Sequence, residues 1–337
     1  MLSKLDLDYL RSVQNLSLKH LGLTKSNPSV ACLIVDFTKD SKGKVISFGL
    51  TNIDGNPHAE LTALKKIKKN NKNKNLTAYV SLEPCYKENL NSCSKLLHQY
   101  NIKRIVIDSL DPNNFIYRKG FLFLKYQNHK VVLNNKNSKF KEINKFFYIN
   151  KLKSRPYITL KLALSKNGYS KDKNKKNITS KSTQNYMHHL RLKHDAIAVG
   201  YNTLITDNPK LTCRLQGINK KLKKIVFVKK KISNKTNNTN LINTIHVSDT
   251  NNLKDNLFRQ LSILNINSLL IEGGISTFKL FLKYKIFDEV YLTLSKKIIH
   301  NVNSKYRFNF RLIKNLKEIS NNFYGKDQII VYKNTDV

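Results

Sequence analysis

Segments with helical spacing of apolar residues alternate with short apolar runs typical of strands along the first half of the chain. Apolar residues recur every three or four positions over Leu5 to Leu21 and over His58 to Lys69, which predicts amphipathic helices. Short apolar runs predict strands at Val30 to Val35, Lys44 to Leu50, Thr77 to Leu82, Arg104 to Ile107 and Lys130 to Leu133, and one more helix is predicted near Ser92 to Tyr100. Strands that alternate with helices indicate a layered α/β domain.

The second half of the chain has the same mixture of patterns. Strands are predicted at Tyr157 to Leu164, Ala196 to Val199, Ile225 to Val228, Thr244 to Val247, Ser268 to Ile271 and Glu289 to Leu294. Thr179 or Ser180 can cap a helix that runs to about Lys193, and further helices are predicted over Leu253 to Leu264 and Ser276 to Tyr284. This half is therefore also α/β, with a core of its own.

The segment between the two halves is polar and breaks the alternation. Asn134 to Asn150 has neither period, and Lys151 to Pro156 is typical of a linker. We place a boundary near residue 150, which gives domains at 1–150 and 151–337, each long enough to bury a core.

The chain carries no sequence signal for export or for membrane insertion. No stretch approaches the roughly 20 apolar residues that span a bilayer. The first ten residues contain Asp6 and Asp8 and do not resemble a signal peptide. We therefore expect a cytoplasmic protein, in which the four cysteines are thiols or metal ligands rather than disulfides.

The net charge of +39 comes almost entirely from lysine, with 52 lysines against nine arginines. Nucleic-acid recognition favours arginine and interleaved aromatic residues, and neither is concentrated here. A compositional bias on solvated surfaces explains the lysines better, so nucleic acid is not an expected partner. A positive field would still help to capture phosphorylated ligands.

The sharpest chemical signal is His58-Ala59-Glu60 followed by Pro84-Cys85 and Cys93. Catalytic zinc takes about four tetrahedral ligands and keeps one position for water. His58, Cys85 and Cys93 supply three ligands, and Glu60 can pass the proton of the attacking water to a ring nitrogen and to the departing ammonia. This H-x-E…P-C…C pattern is the signature of the zinc-dependent nucleobase deaminases.

Two further predictions concern the cysteines. Pro84 suits the first turn of a helix, which would set Cys85 near a helix N-terminus that favours the thiolate. Cys32 and Cys213 lie in surroundings that offer no metal partner, so a place in the core is predicted for both.

From about Asp6 to Val331 the chain resembles the bifunctional deaminase–reductases of riboflavin biosynthesis. In the first half, the segments that carry this resemblance are Asn27-Pro28-Ser29-Val30, Pro57-His58-Ala59-Glu60, Tyr79 to Cys85, and Asp111-Pro112-Asn113. The wide separation of Cys85 and Cys93 also favours this family over the transfer-RNA and cytosine deaminases, which usually have P-C-x-x-C. The resemblance implies a cytidine-deaminase-like three-layer α/β/α domain with one zinc, in which Asn27 contacts the pyrimidine.

One loop departs from the family pattern. Tyr86 to Ser92 stands where family members usually carry His-Gly-Arg-Thr-Pro-Pro, and it is about one residue shorter and lacks the arginine. Lys87 could supply a point charge for the substrate phosphate, without the bidentate grip of an arginine.

The second half contains no G-x-G-x-x-G, so a Rossmann site is not expected. Glu272-Gly273-Gly274 instead follows an apolar strand and precedes a helix, where backbone N–H groups can approach a phosphate. Pro156 to Ala163 and Asp207-Asn208-Pro209 are similar to the family's reductase domain, which implies a dihydrofolate-reductase-like α/β fold.

The resemblance also implies a role for individual residues in the second half. The NADPH site would be lined by Ala163, Thr203, Asp207 and Gly274, and the substrate site by Arg191, Leu211, Arg214 and Glu272. Three positions depart from the family: Asn167 replaces an aspartate, Lys175 a small polar residue and Asn177 an aromatic one. These departures leave open an impaired or differently tuned reductase.

The sequence thus predicts a bifunctional enzyme of riboflavin biosynthesis. Zinc-dependent hydrolytic deamination of 2,5-diamino-6-(5-phosphoribosylamino)pyrimidin-4-one would precede NADPH-dependent reduction of its ribosyl group to ribityl. One alternative is a deaminase whose degenerate second domain serves dimerisation; a more remote one is an RNA-binding or tRNA-editing deaminase. The resemblance further implies a homodimer that forms through the reductase domain.

Overall fold

The structure is a computed structural model that describes residues 2–68, 73–88, 92–134, 138–172, 177–228, 242–247, 252–300 and 302–335. The chain divides into two compact units, residues 1–154 and residues 155–337. Each unit has its own sheet and its own core. Among the described residues, no helix combines the length and the apolar character that crossing a membrane would require.

The N-terminal unit is built on a sheet of strand order β2-β1-β3-β4-β5 in its described residues. β1 is antiparallel to β2 and β3, whereas β3, β4 and β5 are parallel. The strands are β1 (Ala31–Asp36), β2 (Lys44–Leu50), β3 (Leu76–Val80), β4 (Arg104–Ile107) and β5 (Lys130–Leu133). The helices are α1 (Lys4–Ser17), α2 (Ala59–Leu64), α3 (Cys93–Gln99), α4 (Lys119–Tyr126), α5 (Lys139–Ile143) and α6 (Lys145–Lys153).

Helices cover both faces of this sheet. On one face, Leu10 and Val13 of α1 pack against Leu33 of β1 and Tyr79 of β3. On the other face, apolar residues of α2, α3 and α4 form a larger core with the alternate residues of the same strands. The unit is therefore the three-layer α/β/α domain that the sequence predicted.

A capping box fixes the start of α1. The Ser3 hydroxyl accepts from the Asp6 backbone N–H, and the Asp6 carboxylate accepts from the Ser3 N–H in return. The same carboxylate accepts a bidentate pair of hydrogen bonds from Arg104, at 2.7 and 2.8 Å. One side chain thus begins the helix and fastens it to β4.

The C-terminal unit has a sheet of order β12-β13-β11-β6-β10-β7-β8-β9 in its described part. The pairs from β11 to β9 are parallel, and β13 and β12 are antiparallel additions at one edge. The strands are β6 (Tyr157–Leu164), β7 (Ala196–Gly200), β8 (Lys223–Val228), β9 (Ile242–His246), β10 (Ser268–Ile271), β11 (Glu289–Leu294), β12 (Lys317–Tyr324) and β13 (Asp327–Lys333). The helices are α7 (Lys181–Lys193), α8 (Tyr201–Asp207), α9 (Leu253–Ile263) and α10 (Ile275–Lys283).

Several predicted elements differ from the structure. The helix predicted over His58 to Lys69 ends at Leu64. The segment interpreted as polar connection and linker contains α5 and α6, so Lys151 to Lys153 are helical. Four elements had no prediction: α4, α8, β12 and β13. Ser180 does cap α7, because its hydroxyl accepts from the Thr183 N–H.

Candidate functional site

Three side chains of the N-terminal unit converge on one point. The Nδ1 atom of His58 lies 3.7 Å from the Cys85 sulfur and 3.4 Å from the Cys93 sulfur. All three ligand atoms lie within 4.8 Å of one another. Among the residues that the structure describes, this is the only cluster of three or more histidine, cysteine or carboxylate side chains that could hold a metal ion.

Local structure explains how residues distant in sequence meet here. His58 is the N-cap residue of α2, and Cys93 is the first residue of α3. Cys85 is tied to the start of α3 because its carbonyl accepts from the Ser94 N–H at 3.2 Å and from the Ser94 hydroxyl at 3.0 Å. The two cysteines are thereby held side by side across the intervening loop.

The prediction of a helix with Pro84 in its first turn and Cys85 near its N-terminus was wrong. Pro84 and Cys85 lie in an irregular segment after β3, and Cys93 occupies the helix start instead. A hydrogen bond from Cys93 lowers the pKa of the Cys85 thiol, and His58 lowers it further. The Cys93 and His58 side chains, together with the Cys93 backbone N–H at the start of α3, therefore favour the Cys85 thiolate.

The ligand set fits zinc. Tetrahedral zinc with sulfur at about 2.3 Å and nitrogen at about 2.0–2.1 Å separates its ligand atoms by roughly 3.6 Å. The two nitrogen–sulfur distances, 3.4 and 3.7 Å, bracket that value. Cys32 and Cys213 are buried elsewhere and are absent from this described cluster. Three protein ligands leave one coordination position for a reactant, which is the pattern of a catalytic site.

Glu60 lies beside these ligands in the second position of α2 and is 4% exposed. Burial, reinforced by the charge of Cys85, raises the pKa of its carboxyl group to about 7. A carboxyl group with a pKa near neutrality can both accept and return a proton. Glu60 therefore has the position and the raised pKa that proton transfer beside the ligand cluster would require.

These residues share a pocket of about 150 Å³. Asn27, His58, Glu60 and Cys85 line it, so the predicted pyrimidine contact shares a cavity with the ligand cluster. The Asn27 side chain is held in place because its amide donates to the Gly55 carbonyl at 3.0 Å. The pocket is also lined by four residues to which sequence reasoning gave no role: Asp111, Asn113, Phe147 and Lys151.

Glu83 organises the loop that carries Asp111 and Asn113. Its carboxylate accepts from three backbone N–H groups, those of Asp111, Arg118 and Phe121, at 3.0–3.3 Å. Gly120 lets α4 lie close to the Pro84 backbone, since a Cβ at position 120 would lie 1.8 Å from the Pro84 carbonyl oxygen. The loop is thus fixed to the strand end that also leads to Cys85.

A second, larger cleft of about 1280 Å³ lies in the C-terminal unit. All four predicted cofactor residues line it: Ala163, Thr203, Asp207 and Gly274. Its volume exceeds the usual range of small-molecule sites, about 300–1,000 Å³, and is ample for a dinucleotide. Five lysines also line it and supply the positive charge that phosphates need: Lys161, Lys171, Lys279, Lys283 and Lys305.

The glycine turn forms the centre of this cleft. Gly273 and Gly274 follow β10, and Gly274 is the N-cap residue of α10. The Gly274 N–H donates to the Thr203 hydroxyl at 3.1 Å, which joins the turn to α8. Gly200 at the end of β7 lets α10 lie close by, because a Cβ at position 200 would lie 2.4 Å from the Thr277 hydroxyl oxygen. The backbone is therefore open at a helix start, where phosphates are commonly bound.

Arg191 and Glu272 are paired with each other. The guanidinium donates to both carboxylate oxygens, at 2.6 and 2.8 Å, and to the Thr212 carbonyl at 2.8 Å. Although burial opposes ionisation, Lys161 and Arg191 hold the pKa of Glu272 at about 2. Arg191 thus orients Glu272, which lines the cleft with Lys161.

Lys161 is a candidate functional residue that sequence reasoning missed. Its amine lies 3.9 Å from the Glu272 carboxylate and faces the cleft from β6. The signal was a single lysine inside an otherwise apolar strand, Tyr157–Leu164. A charged residue in such a strand needs a partner, and here the partner is Glu272.

Arg191, Leu211 and Arg214 line a further pocket of about 470 Å³. Leu211 is buried, whereas Arg214 is exposed and donates to the Thr212 hydroxyl at 3.2 Å. Of the four predicted substrate residues, the structure brings these three together here and places Glu272 in the larger cleft. The Arg191–Glu272 pair joins the two cavities.

Asn167, one of the departures from the family pattern, has a structural role. Its amide donates to the Ile299 carbonyl at 2.7 Å, and its oxygen accepts from the Ile299 N–H at 3.1 Å. An aspartate could not donate to that carbonyl. The Asn177 carbonyl accepts from the Lys297 amine. Lys175 lies outside the described residues, as do positions 89–91 of the altered loop.

Two known domain families match the chain, one in each unit. Residues 3–109 match the cytidine and deoxycytidylate deaminase zinc-binding region. Residues 156–324 match the RibD C-terminal domain.

Relatives match nearly the whole length. The riboflavin biosynthesis protein RibD of Aquifex aeolicus is 31% identical over 324 residues, which cover 89% of this chain and 89% of that protein. RibD of Buchnera aphidicola is 30% identical over 335 residues, 88% of either chain.

Solved structures give the same picture. The diaminohydroxyphosphoribosylaminopyrimidine deaminase/5-amino-6-(5-phosphoribosylamino)uracil reductase of Thermotoga maritima superposes with a TM-score of 0.82 at 26% identity, over 98% of each chain. RibD of Acinetobacter baumannii has a TM-score of 0.83 at 24% identity, over 98% of this chain and 99% of that one, and shows the same fold.

Proposed function

Because the chain belongs to the RibD family of riboflavin biosynthesis proteins, we propose which of its residues carry out each of two reactions. The protein is a bifunctional deaminase and reductase that uses zinc in its first half and NADPH in its second. It acts on a small phosphorylated pyrimidine. The specific substrate we propose is 2,5-diamino-6-(5-phosphoribosylamino)pyrimidin-4-one.

In the first reaction, the exocyclic amine of the pyrimidine is replaced by the oxygen of water. His58, Cys85 and Cys93 would hold zinc, which would supply the Lewis acidity that activates the attacking water. Glu60 takes the proton of the attacking water and delivers protons to the ring nitrogen and to the departing ammonia. Asn27 orients the ring in the same pocket.

In the second reaction, the ring-opened ribosyl group is reduced to ribityl, with hydride delivered to C1. NADPH supplies the hydride when bound. Ala163, Thr203, Asp207 and Gly274 line the cleft that would hold it. Glu272, oriented by Arg191, and Lys161 face the same cleft and align the sugar. Arg214 binds the phosphate end in the adjoining pocket, which Leu211 also lines.

The observation that carries this proposal is the convergence of His58, Cys85 and Cys93 beside Glu60. The second unit adds a cleft lined by the predicted cofactor residues. A deaminase-only protein is not favoured, because residues 156–324 match the RibD C-terminal domain. An RNA-binding or tRNA-editing deaminase is not favoured either, because that function does not account for the RibD C-terminal domain at residues 156–324.

The two activities can be separated in one assay. Purified protein with the pyrimidine substrate should release ammonia without NADPH, and should oxidise NADPH only after deamination. Ammonia is measured by a coupled assay and NADPH by its absorbance. Ammonia release without any NADPH oxidation, even with deaminated substrate, would restore the deaminase-only alternative.

Arg214→Lys tests the second site. We expect kcat/KM of the reductase to fall about 10–100-fold, because a charge-assisted hydrogen bond contributes about 1.5–3 kcal/mol and lysine cannot reproduce a bidentate grip. The loss should appear mainly in KM for the deaminated substrate. Ammonia release from the other unit is the internal reference.

Arg311→Lys is the matched control, since Arg311 is an exposed arginine outside the two C-terminal cavities. It should reduce the deaminated substrate like the parent. Equal kinetics for Arg214→Lys and Arg311→Lys would show that Arg214 is only a surface residue.

We propose a homodimer that forms through residues 155–337, in line with the exposed Phe323 on β12 at the sheet edge. The mass of the protein in solution tests this. We also propose a cytoplasmic location, in line with four free cysteines.

A further inference from the structure

The pocket around Glu60 is poor in positive charge for a site that must accept a phosphorylated substrate. Three carboxylates line it, those of Glu60, Glu83 and Asp111. His58 also lines it but is committed to the ligand cluster, whose two thiolates offset the charge of zinc. A phosphate monoester carries about −1.5 to −2 charges at neutral pH. Another cation must therefore meet the phosphate.

The surrounding loop does not supply the usual cation. Tyr86 to Ser92 has no arginine. Lys87 is exposed, and it is absent from the described lining of the pocket, although its charge does reach His58. The protein carries many surface lysines, so a phosphate ligand must be identified by its position and not by its residue type.

Lys151 has that position. It lines the pocket from α6 together with Phe147, which lies four residues earlier and so on the same helix face. Its amine lies 6.0 Å from the centre of the Phe147 ring. In the described part of the chain, the Lys151 amine forms no salt bridge, although its charge acts on the Asp111 carboxyl group. Among the described residues that line the pocket, Lys151 is the only lysine or arginine.

We propose that Lys151 binds the phosphate of the deaminase substrate, which makes α6 part of the active site. This inference rests on the proposed deaminase function and adds a residue to it. The pyrimidine ring enters towards His58 and Glu60, and the phosphoribosyl end points towards the side of the pocket formed by Phe147 and Lys151. The exposed amine is accessible from solvent, so it also meets the phosphate first and draws the substrate in.

Lys151→Ala tests the proposal, with Lys153→Ala as the matched control. Lys153 is an exposed lysine two residues along α6 that does not line the described pocket. We expect kcat/KM for ammonia release to fall about 10–100-fold in Lys151→Ala, the size of one charge-assisted contact, and to stay near the parental value in Lys153→Ala. Lys151→Arg should recover most of the loss, because the charge is kept.

Two readouts separate a phosphate contact from a general defect. The preference for phosphorylated over dephosphorylated substrate should shrink in Lys151→Ala. Binding of ribose 5-phosphate to the zinc-loaded protein should weaken in Lys151→Ala relative to Lys153→Ala, whether or not deamination takes place. This binding difference without any ammonia release from the parent would support Lys151 as a phosphate ligand while refuting the proposed deamination.

Other outcomes would overturn the inference. Equal kcat/KM and equal ribose 5-phosphate binding in Lys151→Ala and Lys153→Ala would show that Lys151 is only a solvated helix residue. A loss that appears in Lys87→Ala and not in Lys151→Ala would assign the phosphate to the altered loop instead.

Discussion

Glu60→Gln is expected to abolish deamination, with a loss of about 10⁴-fold or more, and to leave fold and zinc intact. General acid–base groups contribute about 10²–10⁴-fold, and a residue that moves more than one proton should lie at the top of this range. Glutamine preserves the shape of this buried side chain but cannot accept a proton. Ammonia release under saturating substrate measures the effect.

Glu142→Gln provides the matched control. Glu142 lies on α5 of the same unit, is exposed, and is absent from the described lining of the pocket. It should deaminate at the parental rate. Zinc content and melting temperature should be unchanged in both variants, so that a lost proton carrier is distinguished from a lost fold. Deamination within a few-fold of the parent in Glu60→Gln would refute the role of Glu60.

The ligand cluster could be predicted from sequence because its chemistry depends on residue type and order. His58 and Glu60 are two positions apart at the start of a helix, and zinc binding and proton transfer restrict the residue types that can occupy those positions. The irregular backbone at Cys85 could not be predicted, because Pro84 is compatible with either a helix start or an irregular turn. The hydrogen bonds that the Ser94 N–H and hydroxyl donate to the Cys85 carbonyl fix this backbone, and they join residues on either side of a loop.

The same limit explains α6. Its sequence, Lys145–Lys153, mixes lysine and asparagine with aromatic residues, and its apolar face is weak. What fixes it is Asn144, whose side chain accepts from the Ser29 N–H, 115 residues earlier. Such a contact is invisible to local periodicity. The place of Phe147 and Lys151 in the pocket therefore could not be predicted from the sequence.

Strand β12 illustrates how composition hides a pattern. β12 lies at the edge of the sheet and is mostly exposed, so its asparagine-rich sequence shows no alternation of apolar and polar positions. The strands at the centre of the sheet, such as β6, β10 and β11, are largely buried, and their predicted bounds agree with the structure. Burial thus favoured prediction but did not guarantee it, because β13 is also largely buried and had no prediction.

Replacement of either of the two cysteines that we propose as zinc ligands is expected to cost the protein its zinc. Cys85→Ser or Cys93→Ser removes one of two thiolates whose sulfur atoms lie 3.7 and 3.4 Å from His58 Nδ1. Loss of an outer-shell partner alone typically costs about 10–100-fold in metal affinity, so loss of a direct ligand should exceed 100-fold. Deamination should disappear with the metal.

Cys213→Ser is the matched control for this experiment. Cys213 is buried in the other unit, where its thiol contacts the His188 carbonyl, and its replacement should leave about one zinc per chain. NADPH-dependent reduction of the deaminated substrate should continue in Cys85→Ser and Cys93→Ser, because the zinc ligands and the cleft belong to different units. Elemental analysis that finds a full zinc complement in both of these variants would rule out the cluster as the metal site.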